Sequence, residues 1–464
     1  MWFNFEQNHA LQDCLLLAVL LLFPHTYTNA VTCPLVSRGP YLQIPSQTGI
    51  TIRWQTTTNS LSAIIYRSID SRTFTEPAEH DATQRGRDHE ARITGLSPGR
   101  VYLYLLQSAR EHSYGVEACG GNFTTSPLLG SGLSLRLWAI GDSGHSNEYQ
   151  AAVKHAYLLQ SGYKLTDAVL VLGDLAYDGG YEAEMDTSFF GSYQDLMSWI
   201  PFWTALGNHD VFNGLDPYPY YQLLTLPTEG EAGGHPSGTE AYYSFDLGQV
   251  HVVCLDSMDS VHRGTMAEML AWLDQDLAAF RAAGAATHWL IAFFHHPPYS
   301  KGSHDSDVKV EMTRMREEVV PRLELAGVDL VISGHSHGYE RSFLLKAFYG
   351  DSSTWSPVQH QMDGGSGNPS HGEMYVKGAT QDDGKEGTVY VVCGVSSEPK
   401  HYGTFDHPAM AASVQGEPGS LLIDVEGNIL SVKFINASGD MRDHFAICKG
   451  EFYRISDILL TLHL

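Results

Sequence analysis

Oxygen and nitrogen donors recur at five places between residues 142 and 337, each directly after an apolar run. LRLWAI leads into Gly141-Asp142-Ser143-Gly144, AVLVL into Gly173-Asp174-Leu175-Ala176-Tyr177, and FWTAL into Gly207-Asn208-His209-Asp210. HWLIAFF leads into His295-His296-Pro297-Pro298, and VDLVIS into Gly334-His335-Ser336-His337. Any one junction reads as an ordinary turn, because Asp and Asn are turn formers. Five in succession, offering carboxylates, an amide, a phenol and imidazoles, point to a shared metal site. The set exceeds what one ion takes. Two cations about 3.5–4 Å apart can clamp both the attacking and the leaving oxygen of a displacement. Asp174, on the same loop as Tyr177, is the candidate bridge between them.

The elements that must position these donors follow from the same pattern. Open α/β sheets bind ligands at the carboxyl ends of their strands. Four of the five junctions place a glycine before the donor, where the chain must turn sharply or approach another group closely. EYQAAVKHAYLLQSG (148–162) and MAEMLAWLDQDLAAFRAAG (266–284) carry helical apolar spacing, the second ending on Gly284. Strands alternating with helices from residue 135 onward predict an α/β core. TVYVVCGV, SLLIDVEG and NILSVKFINA read as further strands after a polar, Gly-rich insertion that begins past residue 345. Before the core, residues 31–127 read as short strands and turns, with Trp54 central in GITIRWQT, and predict a small β-sandwich. SPLLGSGLS (126–134) is the expected linker.

The chain has 464 residues, 28 Lys and Arg against 53 Asp and Glu, and a net charge of −25. That balance excludes a general nucleic-acid or anionic-membrane binder, which needs a basic face. An anionic substrate must therefore be attracted by something other than side-chain cations. CLLLAVLLLF (14–23) is too short for a membrane span and predicts a secretory signal peptide over residues 1–30. The leader departs from type in lacking Lys or Arg ahead of that run and in carrying Glu6 and Asp13. A secreted or secretory-pathway protein is the expectation. With Cys14 removed, Cys33 and Cys119 bracket the first module and could pair in an oxidising compartment. Cys254 and Cys393 read as buried strand residues. Asn122 and Asn436 match the N-glycosylation acceptor. Residues 441–464 form an apolar tail without an assigned role.

GDSG, GDLAY, GNHD, the HHPPY segment and GHSHGYER resemble, in order and spacing, the five motif blocks of the purple acid phosphatases. These are metallophosphoesterases with a dinuclear, iron-containing centre. The resemblance covers residues 135–345, and ITGLSPGRVYLYLLQ is similar to the fibronectin type III module that precedes the catalytic domain of larger members. One departure is Ala292, where the family usually has Val. The resemblance implies an α/β metallophosphoesterase sandwich, with mixed sheets flanked by helices, over residues 135–440, preceded by the all-β sandwich.

It also implies roles. Asp142, Tyr177 and His337 would hold Fe(III); Asn208, His295 and His335 would hold a divalent iron, zinc or manganese; Asp174 would bridge. Hard anionic donors suit the trivalent ion and imidazoles with an amide suit the divalent one. Tyr177 favours the purple subgroup over other metallophosphoesterases. His295 matches the family's His-x-Pro, leaving His296 to orient a ligand or touch substrate. Three anionic donors against ions totalling about +5 leave a centre that attracts phosphate. The implied activity is acid phosphatase hydrolysis of small phosphate monoesters by attack of a metal-bound hydroxide. His209 would protonate the leaving alcohol, and His304, in KGSHDSD, would contact substrate. Protonated histidines imply an acidic optimum. A phosphodiesterase or nucleotide pyrophosphatase on the same cage is the alternative, separated by the pocket loops at 213–240 and 346–375. A secreted binding module with a retired site is the remote one, disfavoured because all seven positions carry competent donors. No sequence signal bears on oligomeric state.

Overall fold

Strand Gly49–Ser60 turns Ile50, Ile52 and Trp54 into a core shared with Ile64, Tyr104 and Phe123. This computed structural model describes residues 35–71, 73–74, 86–110, 113–162, 166–258, 265–284, 289–378 and 386–450. The predicted leader, Cys14, Cys33 and residues 451–464 lie outside them. The first module is two three-stranded antiparallel sheets. Val36–Gln43, Gly49–Ser60 and Gly86–Thr94 form one, and Ser62–Ser68, Val101–Arg110 and Ser113–Thr124 the other. Trp54 Nε1 donates to Ser62 Oγ at 3.0 Å, so the buried indole is satisfied as it ties the two sheets. Cys119 is disulfide-bonded. The module is fastened to the next by Arg38, whose buried guanidinium donates to Asp186 and Glu182, each at 2.6 Å.

Two seven-stranded mixed sheets build the second domain. In the first, Leu135–Ile140, Ala168–Val171 and Phe202–Thr204 run parallel, flanked on one side by three antiparallel strands that include Gly419–Glu426 and Ile429–Asn436, and at the edge by Tyr375–Lys377. In the second, Val250–Cys254, Trp289–Phe294, Leu330–Ser333 and Val389–Cys393 run parallel. Ile291 and Phe293 pack toward the opposing sheet with Leu137, Val169 and Val391. Their neighbours Leu290, Ala292 and Phe294 pack outward against Leu273 of helix Met266–Ala282 and Leu323 of helix Val320–Ala326. Burial on both faces is why such strands read as continuous apolar runs. Thr265 and Glu268 close a capping box at the start of helix Met266–Ala282, and Asn147 caps helix Glu148–Gln160 by accepting from Gln150 N.

Two expectations change here. The domain does not stop at residue 440: Met441–Lys449 is the strand next to the edge of the first sheet, and Asp443 pairs with Arg341 at 2.6 Å. Asn436 is buried, and its Nδ2 donates to Glu417 at 2.8 Å, an arrangement that a glycan on this amide would have to displace.

His251 ties the hairpin Tyr243–Leu247 and Val250–Cys254 to helix Met266–Ala282. Its Nδ1 lies 2.7 Å from Asp246 Oδ1 and its Nε2 2.9 Å from Asp276 Oδ2. Burial opposes the charged imidazole, but the two carboxylates outweigh it and raise the pKa from 6.5 to about 9. A group whose folded pKa is raised stabilises fully below its unfolded value and loses that contribution as pH rises through the folded one. His251→Gln should therefore cost about 3 kcal/mol near pH 6 and progressively less toward pH 9, followed by thermal unfolding across that range. A loss independent of pH would show that packing alone is at stake.

Candidate metal centre

All five donor-bearing junctions leave the carboxyl ends of the parallel strands, so both sheets deliver their loops to one rim. The turn there is sharp. Asp142 and Asp174 have φ of +54° and His335 +62°, a left-handed conformation that non-glycine residues adopt when the surroundings enforce it. Close approach explains two glycines. A Cβ on Gly207 would sit 2.2 Å from Asp174 Oδ1, and one on Gly173 would sit 2.5 Å from His295 Nδ1.

The donor atoms fall into two groups. In one, Tyr177 Oη lies 3.1 Å from Asp142 Oδ1 and 3.5 Å from His337 Nε2, and His337 Nε2 lies 3.2 Å from Asp142 Oδ1. In the other, His295 Nε2 and His335 Nδ1 each lie 3.0 Å from Asn208 Oδ1. Asp174 Oδ2 stands between them, 2.8 Å from Tyr177 Oη and 3.4 Å from His295 Nε2. His295 Nδ1 lies 2.8 Å from the Leu172 carbonyl, which sets the tautomer that leaves Nε2 for the rim.

Residues 135–339 match the calcineurin-like phosphoesterase family. That stretch holds all five donor-bearing junctions. Among relatives, purple acid phosphatase 15 of Arabidopsis thaliana is 27% identical over 279 residues, 55% of this chain and 49% of that one. Probable purple acid phosphatase 20 of the same plant is 29% identical over 268 residues, 55% of this chain and 56% of that one. The chain spans about half the length of the curated relatives it matches. A purple acid phosphatase from yellow lupin (Lupinus luteus) seeds has a TM-score of 0.65 at 17% identity, over 91% of this chain and 76% of that one. PhoD has a TM-score of 0.59 at 13% identity, over 94% and 97%. At those identities the likeness is one of fold.

The donor set fits cations. Burial, and then Asp142 and Asp174, push the Tyr177 phenol far above its usual range, so in the protein alone it stays protonated. Burial opposes charge on His295 and His337, but the neighbouring carboxylates raise both pKa values; these imidazoles offset part of the negative charge, and bound cations would offset the rest. On the other side, burial and then His296 and His295 hold His335 well below its usual value. Two imidazole nitrogens on one amide oxygen, one of them kept neutral, is a better cation seat than a hydrogen-bond network. His295, His296 and His335 form one group with donor atoms within 4.8 Å, and Asp142, Asp174 and His295 another.

The three remaining predicted histidines surround this rim. His209 N donates to Asp174 Oδ1 at 2.9 Å, and its Nδ1 lies 2.7 Å from the Asp178 carbonyl, leaving Nε2 for a ligand. His296 packs 4.2 Å from His335, with Nδ1 2.9 Å from Ser257 Oγ. His304 stacks on His335 at 4.0 Å. Its loop is held by Lys301, which reaches Asp305 at 2.8 Å and Asp307 at 2.7 Å. Burial comes first in lowering both: His296 falls well below 6.5, and His304, also beside His337 and Lys309, falls to about 4. Burial therefore disfavours the protonated form of both, against the protonated grip expected from the sequence.

Asp210 closes the third motif, and its residue type alone assigns it no role beyond a turn. Fully buried, it accepts from Asp174 N at 3.0 Å, Leu175 N at 2.8 Å and Gly207 N at 2.8 Å, clamping two donor loops together. Burial and then the Asp174 charge push its pKa up to about 7. Asp210→Asn should leave an amide N–H facing a backbone N–H and destabilise the metal-free protein by about 1–3 kcal/mol. Thermal unfolding reads this directly; an unchanged midpoint would mean the loops hold without the clamp.

Proposed function

We propose that the chain is an acid phosphatase hydrolysing small phosphate monoesters at a dinuclear centre. Asp142, Tyr177 and His337 would hold a ferric ion, Asn208, His295 and His335 a divalent iron, zinc or manganese, and Asp174 would serve both. The observation that carries this reading is the Tyr177 hydroxyl pressed between Asp142 and Asp174, at 3.1 and 2.8 Å. Bound cations would supply charge for the phosphoryl oxygens and lower the pKa of a nearby water. His209 would hold the proton for the departing alcohol as an imidazolium: Nδ1–H donates to the Asp178 carbonyl, leaving Nε2 as the nitrogen that carries and releases the second proton. His296 and His304, kept neutral, would donate hydrogen bonds to the phosphoryl group rather than charge. The disulfide at Cys119 supports passage through an oxidising, secretory compartment. Among the described residues no helix is long and apolar enough to cross a membrane.

The purified protein should be pink to purple, with a visible band that vanishes in Tyr177→Phe; a colourless, iron-replete wild type would remove the tyrosinate. His209→Ala should slow alkyl phosphates roughly 10²–10⁴-fold and activated aryl phosphates far less. Equal losses would deny His209 the acid role. Rates on a monoester, a bis-aryl diester and ATP, measured side by side, should favour the monoester; preference for either of the others would assign the cage to diester or pyrophosphate cleavage.

A further inference from the structure

A sixth strand end reaches the same rim. Strand Val389–Cys393 runs parallel to Leu330–Ser333 and ends in Gly394, then continues through Ser396, Ser397 and Glu398. This loop is stitched to the first and fifth donor loops. Ser396 N donates to the Gly141 carbonyl at 3.0 Å, Ser397 Oγ to the Asp142 carbonyl at 2.5 Å, and Lys400 N to the His337 carbonyl at 3.3 Å. A Cβ on Gly394 would lie 2.8 Å from Asp142 Oδ2, so the backbone itself forms part of the wall.

The loop aims one carboxylate at two imidazoles. Glu398 Oε2 lies 3.2 Å from His337 Nδ1 and 3.1 Å from His145 Nε2, while Oε1 pairs with Lys400 Nζ. His337 Nδ1 is the ring nitrogen opposite the one that faces Asp142 and Tyr177. His145 lies flat on the Tyr177 ring, centroids 4.1 Å apart and planes within 3°. Both contacts bring the carboxylate within ion-pair distance of an imidazole nitrogen, without the alignment of a regular hydrogen bond.

We propose that Glu398 is a positioning residue for the Tyr177 half of the centre, holding His337 directly and Tyr177 through the stacked His145. Resting on the dinuclear reading above, this assigns a role to a junction that carries no metal donor of its own. A carboxylate behind a ligating imidazole fixes its tautomer and ring plane, and removing such a partner costs roughly 10–100-fold in metal affinity.

The test uses the full, metal-loaded protein. Glu398→Gln keeps the shape and loses the charge; it should release metal to a chelator roughly 10–100-fold faster, with the tyrosinate band fading in step. His145→Phe keeps the stacked ring and loses the tether, and should shift the visible band at full metal content. Wild-type release rates and an unmoved band in both variants would overturn the proposal. A metal-loaded wild type with no such band would instead fail at the dinuclear reading beneath it.

Discussion

Two buried carboxylates and a buried phenol in mutual contact are the constraint around which this domain is arranged. Asp142 and Asp174 are almost wholly inaccessible to solvent, and Tyr177 nearly so. Such a cluster is unfavourable without compensating charge. The fold supplies part of that compensation. Asp142 Oδ2 accepts from His335 N, Asp174 Oδ1 from His209 N, and the imidazoles of His337 and His295 flank the pair. The remainder would come from the pair of cations proposed for this rim. An acidic protein of net charge −25 could then gather an anionic substrate at the positive charge of such a centre.

Holding like charges together demands rigid support, and the architecture provides it from two directions. Parallel strands of both sheets end at one rim, so each donor leaves a strand buried on two faces. The loops then lock one another: Asp210 joins the second and third, and the segment after Cys393 joins the first and fifth. Left-handed backbone at Asp142, Asp174 and His335 persists because these cross-links over-determine it.

Much of this was legible in the sequence for a physical reason. Strands packed on both faces leave unbroken apolar runs, and the donors follow each run directly, so the five junctions stand out without any knowledge of pairing. The α/β core and the preceding β-sandwich followed from the same periodicities, and the two-sheet sandwich from the family resemblance. What stayed hidden depends on distant contacts. Asp210 reads as a turn residue until its three backbone partners are known. Glu398 lies four residues beyond its glycine and carries no metal donor pattern. Strand Met441–Lys449 begins with exposed, charged residues and buries only from Phe445 on, which disguised it as a tail. The charge state of His296 and His304 also depends on burial, which residue type alone does not reveal.

The most direct measurement is anomalous X-ray diffraction from crystals of metal-replete protein, collected at the iron edge and at the edges of zinc and manganese. The account predicts two peaks about 3.5–4 Å apart on either side of the Asp174 carboxylate, with iron on the side of Tyr177. A single peak, or none at this rim in protein shown to carry metal, would contradict it.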